Sequence, residues 1–175
     1  MKKALKYPLL FLAIVLFSCL LLLLSGMVPQ SALKTHMAQS LDQLALEGTS
    51  YGVLFSGHPR STLDNYSEFR ILTHSYYMDA PKSPNAIFSN PGWEPDDFDV
   101  KTLFGDAHAA VLADAPSNLT YTRYWMGFRA VVRPLMAVMN YMDMRQLIQW
   151  SFVLLVGAVT LQLFKKTSSF WIAMG

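Results

Sequence analysis

Pro8 to Val28 reads PLLFLAIVLFSCLLLLLSGMV, and no charge falls between Lys6 and Lys34. At 1.5 Å per helical residue, about 20 residues cross the roughly 30 Å hydrocarbon core of a bilayer. Lipid offers the backbone no hydrogen-bond partners, so such a run must be helical. Lys2, Lys3 and Lys6 would also suit the positive end of a secretory signal. Signal cores, however, usually run 7–15 residues and end at a small-x-small site. Here the only small pair near the end, Ser25-Gly26, is flanked by Leu24 and Met27. A lipoprotein signal ending at Cys19 fails as well, because the apolar run continues through Leu24. The stretch therefore reads as an uncleaved first transmembrane helix, residues 8–28. Cys19, the only cysteine, is an apolar residue within it and excludes any internal disulfide.

A second apolar block lies far along the chain, Leu147 to Phe164, LIQWSFVLLVGAVTLQLF. Between the two blocks fall all 12 acidic residues and all 4 histidines. The lysines at positions 2, 3, 6, 165 and 166 sit outside both. The positive-inside rule then places both ends in the cytoplasm and the middle outside, with Arg129, Arg133 and Arg145 opposing it on the outer side. The expected fold is a mainly α membrane protein, with two transmembrane helices flanking a mostly helical extracytoplasmic loop domain. The expected divisions are a cytoplasmic N-terminus 1–7, helix one 8–28, the loop domain 29–120, an interfacial amphipathic segment 121–145, and helix two 146–164. Residues 165–175 are expected to be a cytoplasmic turn and the start of a further apolar segment, Phe170–Met174.

Within the middle, Ser31 is an expected N-cap. Leu33, Met37, Leu41 and Leu44 recur at helical spacing up to Glu47-Gly48. That helix either packs on the loop domain's own core or lies in the outer headgroup layer. Tyr51–Phe55 is a short apolar run that fits a strand. Ser61-x-x-Asp64 reads as a capping box for a helix from about Thr62 to Tyr77, with Tyr66, Phe69, Tyr76 and Tyr77 buried against the preceding helix. From Ala80 to Asp99, five prolines and glycines argue for loop. Val100–Ala113 reads as helix with Leu103, Phe104, Ala107 and Val111 on one face, stopped by Pro116. Tyr121–Arg145 carries Tyr124, Trp125, Phe128 and Tyr141, which favour a membrane–water interface. Arg129 and Arg133, at i and i+4, would snorkel to lipid there, and Pro134 would kink the segment.

Leu63-Asp64-Asn65-Tyr66, Tyr121-Thr122-Arg123-Tyr124-Trp125-Met126-Gly127-Phe128 and Arg133-Pro134-Leu135 together resemble a family of uncharacterised bacterial multipass membrane proteins. That pattern has histidine where Met126 stands and tyrosine where Phe128 stands. The resemblance spans about Leu63 to Arg145 and implies a first helix, a large extracytoplasmic loop and further spans in a bacterial inner or plasma membrane. The layout is also similar to the start of GT-C-type glycosyltransferases, in which a large outer loop carries acidic residues near a lipid-linked donor. Architecture alone does not supply an activity.

No catalytic constellation is legible. Asp64 could act as a general base if buried, although capping already explains it. Glu94, Asp96, Asp97 and Asp99 could hold a hard divalent cation, or form a solvated acidic loop. Asp96 and Asp97 are also candidate catalytic carboxylates. Arg123, Arg129 and Arg133, with Trp125 beside them, could contact lipid or clasp phosphate. His36, His58, His74 and His108 lack zinc-like spacing. The chain has no phosphate loop, no nucleophile elbow and no basic tract for nucleic acid, and no cofactor is expected. The expected partners are the lipid bilayer and a lipid-linked substrate or membrane protein. Two functions fit: a binding or scaffolding loop domain, or the N-terminal part of a transferase acting on a lipid-linked phosphate substrate.

Overall fold

The computed structural model describes residues 2–48, 64–79, 85–97, 99, 101–121 and 127–174, with side chains from 6 to 167 among these. They divide into two compact units, Met1–Tyr141 and Met142–Gly175. The chain is mostly helical, and two of its helices are long and apolar enough to cross a membrane. The expected strand at Tyr51–Phe55 lies outside the described residues.

Helix α1 (Lys2–Gly26) runs unbroken through Pro8. Most of its leucines and phenylalanines are exposed, but Leu22 and Ser25 near its end are buried. Helix α2 (Gln30–Glu47) starts after an extended Pro29, so the expected cap Ser31 lies inside the helix. Proline's fixed φ with an extended ψ sets Pro29 outside the helix, which starts there without a side-chain cap. Gly48, at φ 79, ends it with its N–H on the Leu44 carbonyl at 2.9 Å. A side chain there would be strained. The expected stripe Leu33, Met37, Leu41 and Leu44 is wholly buried, mostly against α3 (Asn65–Tyr76) and α5 (Leu103–Leu112). That burial places α2 on the domain's own core and removes the headgroup-layer alternative.

Asp64 is itself the N-cap of α3: its carboxylate accepts from the Tyr66 N–H at 2.9 Å and from the Ser67 hydroxyl at 3.0 Å. The helix therefore begins at Asn65 rather than about Thr62, because the Asp cap already satisfies its first free N–H groups. Phe69, Tyr76 and Tyr77 are buried as expected, whereas Tyr66 is only partly so.

The proline-rich stretch is not all loop. It holds a single helical turn, α4 (Ala86–Ser89), and a two-residue strand, β1 (Pro91–Gly92). That strand pairs antiparallel with β2 (Leu119–Thr120), Pro91 opposite Thr120 and Gly92 opposite Leu119. Proline is tolerated at the first residue of an edge strand, where its missing N–H costs no ladder bond. Helix α5 buries the four residues its spacing marked, and Ala110 besides.

The segment expected to run as one interfacial stretch is broken instead. Helix α6 (Arg129–Met136) contains Pro134 and ends in turns before α7 (Tyr141–Met174) begins. Helix α6 packs mainly on α1 and α3. In the second unit α7 continues through Lys165-Lys166 to Met174, so the turn expected after residue 164 is absent. The described side chains from Leu147 to Phe164 are exposed on every face of the helix.

Four helix C-termini in the first unit are met by basic side chains from distant segments. Lys34 donates to the carbonyl of Leu112, the last residue of α5, at 2.9 Å and pairs with Asp114 just beyond it at 2.8 Å. His36 Nδ1 donates to Met136 O of α6 at 2.9 Å. Arg129 donates to Ile87 O of α4 at 2.7 Å, and Arg133 to Ser75 O and Tyr76 O of α3 at 2.6 and 2.7 Å. The last carbonyls of a helix lack intrahelical partners and carry the negative end of its dipole, so donors that are cationic suit them.

Candidate functional site

A cleft of about 340 Å³ lies in the first unit, between the start of α2, the end of α3, α4 and the β1–β2 pair. Gln30, Tyr77, Asp79, Ser89, Asp114 and Thr120 supply its polar wall, and Ala86, Pro91 and Pro116 its apolar one. Asp79 is buried, and its N–H turns back on Tyr77 O at 2.9 Å. Asp114 takes the left-handed φ of 54 that brings its side chain to Lys34, a conformation Asp tolerates better than most residues. Tyr76 stands edge-on to Tyr77 with ring centroids 5.0 Å apart, and it hydrogen-bonds the Gln30 side chain. Burial, then the Asp114 charge, raises the Tyr76 hydroxyl to about 12. Burial first, and Tyr76 and Asp114 after it, push Tyr77 up as well. Both phenols stay protonated at neutral pH. The site is thus rich in carboxylate and hydroxyl oxygen. Its volume lies in the range of small-ligand sites, and its charge suits a neutral or cationic polar molecule better than a phosphate.

The expected phosphate or lipid contacts are elsewhere and differently used. Arg129 is 2% exposed and Arg133 0%. Arg129 also reaches Ala86 O at 3.4 Å, and Arg133 reaches Val28 O at 2.5 Å. Burial is the main cause that lowers both guanidinium pKa values to about 10; Asp79 partly offsets it for Arg133. Both remain cations at neutral pH, committed to backbone carbonyls rather than turned to a headgroup. The expectation that these two snorkel outward is therefore corrected: desolvated guanidinium groups gain more from carbonyls at helix ends than the segment's periodicity could indicate. Arg123 and Trp125 lie outside the described residues.

The acidic stretch does not converge. Glu94 pairs with Arg70 at 2.5 Å and meets the Tyr66 hydroxyl, while its backbone is held by Asn118. Asp96 and Asp97 are exposed. Asp99 accepts from the Lys101 N–H at 2.9 Å and its carbonyl starts α5. Among the described residues no three His, Cys, Asp or Glu side chains gather as a metal site would require. Asp64 is exposed and occupied with capping, which leaves it without the burial a general base would need.

His74, set aside for its spacing, occupies a notable position. It is fully buried, its Nδ1–H donates to Pro91 O at 2.9 Å, and its ring lies 5.6 Å from that of Tyr121. Nε2 is buried without a partner. A Cβ on Gly92 would fall 2.7 Å from the ring, so only glycine allows the strand this close. Burial lowers the His74 pKa from 6.5, with Arg70 and Arg129 adding to it against the Pro91 bond. The unfolded chain then takes up a proton first as pH falls. Stability is full above about 6.5 and is lost as pH drops through the folded value. We expect the thermal midpoint in detergent to fall between pH 7.5 and 5.5, and His74→Asn, which keeps an N–H donor, to flatten that slope.

No family model matches the chain, and no curated protein or solved structure matches it.

Proposed function

We propose that the chain is an integral membrane protein, N-terminus cytoplasmic, whose α2–α6 domain lies on the extracytoplasmic side and binds a small polar ligand in its cleft. The observation that carries the membrane reading is the exposure of apolar side chains all round α7, with Leu154 at 72% and Phe164 at 71%. A helix apolar on every side is either buried in protein or set in lipid. The placement in a bacterial inner or plasma membrane rests on the family resemblance. The binding reading is supported by the cleft, walled by Asp79, Asp114 and Tyr77. The transferase reading needs an arginine fork for phosphate. Among the described residues Arg129 and Arg133 are already taken by carbonyls.

Two measurements test it. With Cys19 replaced by serine, a cysteine at Ser83 should react with a membrane-impermeant maleimide in intact cells, and cysteines at Lys3 and Lys166 should not. Equal reaction at Lys166 would remove the two-span topology. For the cleft, glucosamine, spermidine and glucose serve as probes of hydroxylated and cationic chemistry. A rise in melting temperature with one of them, lost in Ser117→Trp, supports binding. No rise with any of the three points to a scaffold.

A further inference from the structure

Helix α6 is inside-out by the standard of a protein in water. Its interior face carries Arg129, Arg133 and Met136. Val131 at i, Pro134 at i+3, Leu135 at i+4 and, just past the helix end, Val138 at i+7 form the other face. Val131 is 58% and Val138 68% exposed, and this face carries no charge. Water would favour the reverse arrangement.

The position of α6 on α1 explains the inversion. Leu22 of α1 joins Met78 and Ile87 in a buried cluster against which Ala130 packs, and the Ser25 hydroxyl donates to Arg129 O at 2.8 Å. Leu22 and Ser25 belong to the apolar span Lys6–Gly26. Leu22 lies four residues before its end, about 6 Å along the axis at 1.5 Å per residue. A helix resting there sits at the depth of interfacial helices, roughly 5–10 Å below the headgroup boundary. Phe88 on α4 and Met27 just after α1 are exposed apolar side chains as well, and α4 also touches α1. Cations at that depth pair with backbone carbonyls rather than water, as Arg129 and Arg133 do.

We infer that the Val131–Val138 face of α6 is embedded in the bilayer interface, in the leaflet where the C-terminal end of α1 emerges, so that the domain has an apolar foot in lipid. This rests on the membrane reading above. Lipid is the occupant because α6 packs on the last turns of a span, at the span's own depth.

Nitroxide labels on single cysteines, in a Cys19→Ser background reconstituted in phosphatidylcholine–phosphatidylglycerol vesicles, test it. Labels at Phe11 and Leu154 report the spans, and one at Asp106, exposed on α5, reports water. Circular dichroism checks that each labelled protein is folded. At Val131 and Val138, collision with oxygen relative to a water-soluble nickel chelate should exceed that at Asp106 several-fold. Water-like values there, with lipid-like values at Phe11 and Leu154, overturn the inference and leave the membrane reading standing. Protection from both reagents means that protein covers the face, and overturns it equally. Water-like values at Phe11 and Leu154 remove the membrane reading itself, and the inference with it.

Discussion

Arg133→Ala should destabilise the folded domain by about 3–5 kcal/mol, read as a lower urea midpoint in detergent. The side chain is wholly buried and ties three carbonyls from two segments: Ser75 and Tyr76 at the end of α3, and Val28 just beyond α1. Each buried carbonyl left bare costs about 1–3 kcal/mol, and water entering the vacated space recovers part of it. Arg133→Lys should recover only a fraction, because one ammonium on a flexible stem cannot reach along the same fork. An Arg-to-Lys swap at this position therefore reads folding and does not separate lipid anchoring from phosphate binding. Loss below about 1 kcal/mol for the alanine variant would mean that the carbonyls find other partners.

Phe69→Ala should cost about 3–5 kcal/mol, the usual range for removing a buried phenylalanine. Phe69 is 0% exposed, and its ring lies 5.8 Å from Phe104 of α5 and 6.2 Å from Tyr66. It thus joins α3 to α5 through side-chain packing. Phe69→Leu, which keeps most of the volume, should lose much less. Comparable losses in the two variants would show that ring contacts, rather than the cavity, dominate there.

The helices with regular apolar spacing were legible in the sequence. Leu33, Met37, Leu41 and Leu44 marked the buried face of α2, and Leu103, Phe104, Ala107 and Val111 that of α5. In both, the apolar stripe faces a core and the polar residues face out, which is the pattern periodicity detects. In α6 the periodicity marked an amphipathic segment, but the arginines expected to snorkel to lipid are buried in the protein. Periodicity reports that charged and apolar residues occupy different sides; which side faces inward depends on the surroundings. The carbonyls that accept from Arg129 and Arg133 come from residues 42 to 105 positions away, beyond any local window. The same distance hid the cleft, whose walls come from four separate stretches. The four carboxylates near Glu94 looked like one group because they are close in sequence. In the fold Glu94 is drawn to Arg70, and Asp99 to the start of α5.

Among the described residues, four bonds that tie the start of the first unit to its end wait for its last elements. Ser25 to Arg129, Val28 to Arg133, His36 to Met136 and Ser40 to Tyr141 are separated by 104, 105, 100 and 101 residues. During synthesis at about 5–20 residues per second, α1 and α2 stand for roughly 5–20 seconds before these partners exist. Over that interval the Val28 carbonyl, the His36 ring and the Ser25 and Ser40 hydroxyls lack these partners. Closure of this unit by α6 and Tyr141 therefore comes late, after the α2–α3–α5 core has been made, and long-range closure of this kind slows folding. A chain released before Arg133 would carry a complete first helix and the α2–α3–α5 core, but not the ties from Val28 and the end of α3 that hold α6 in place.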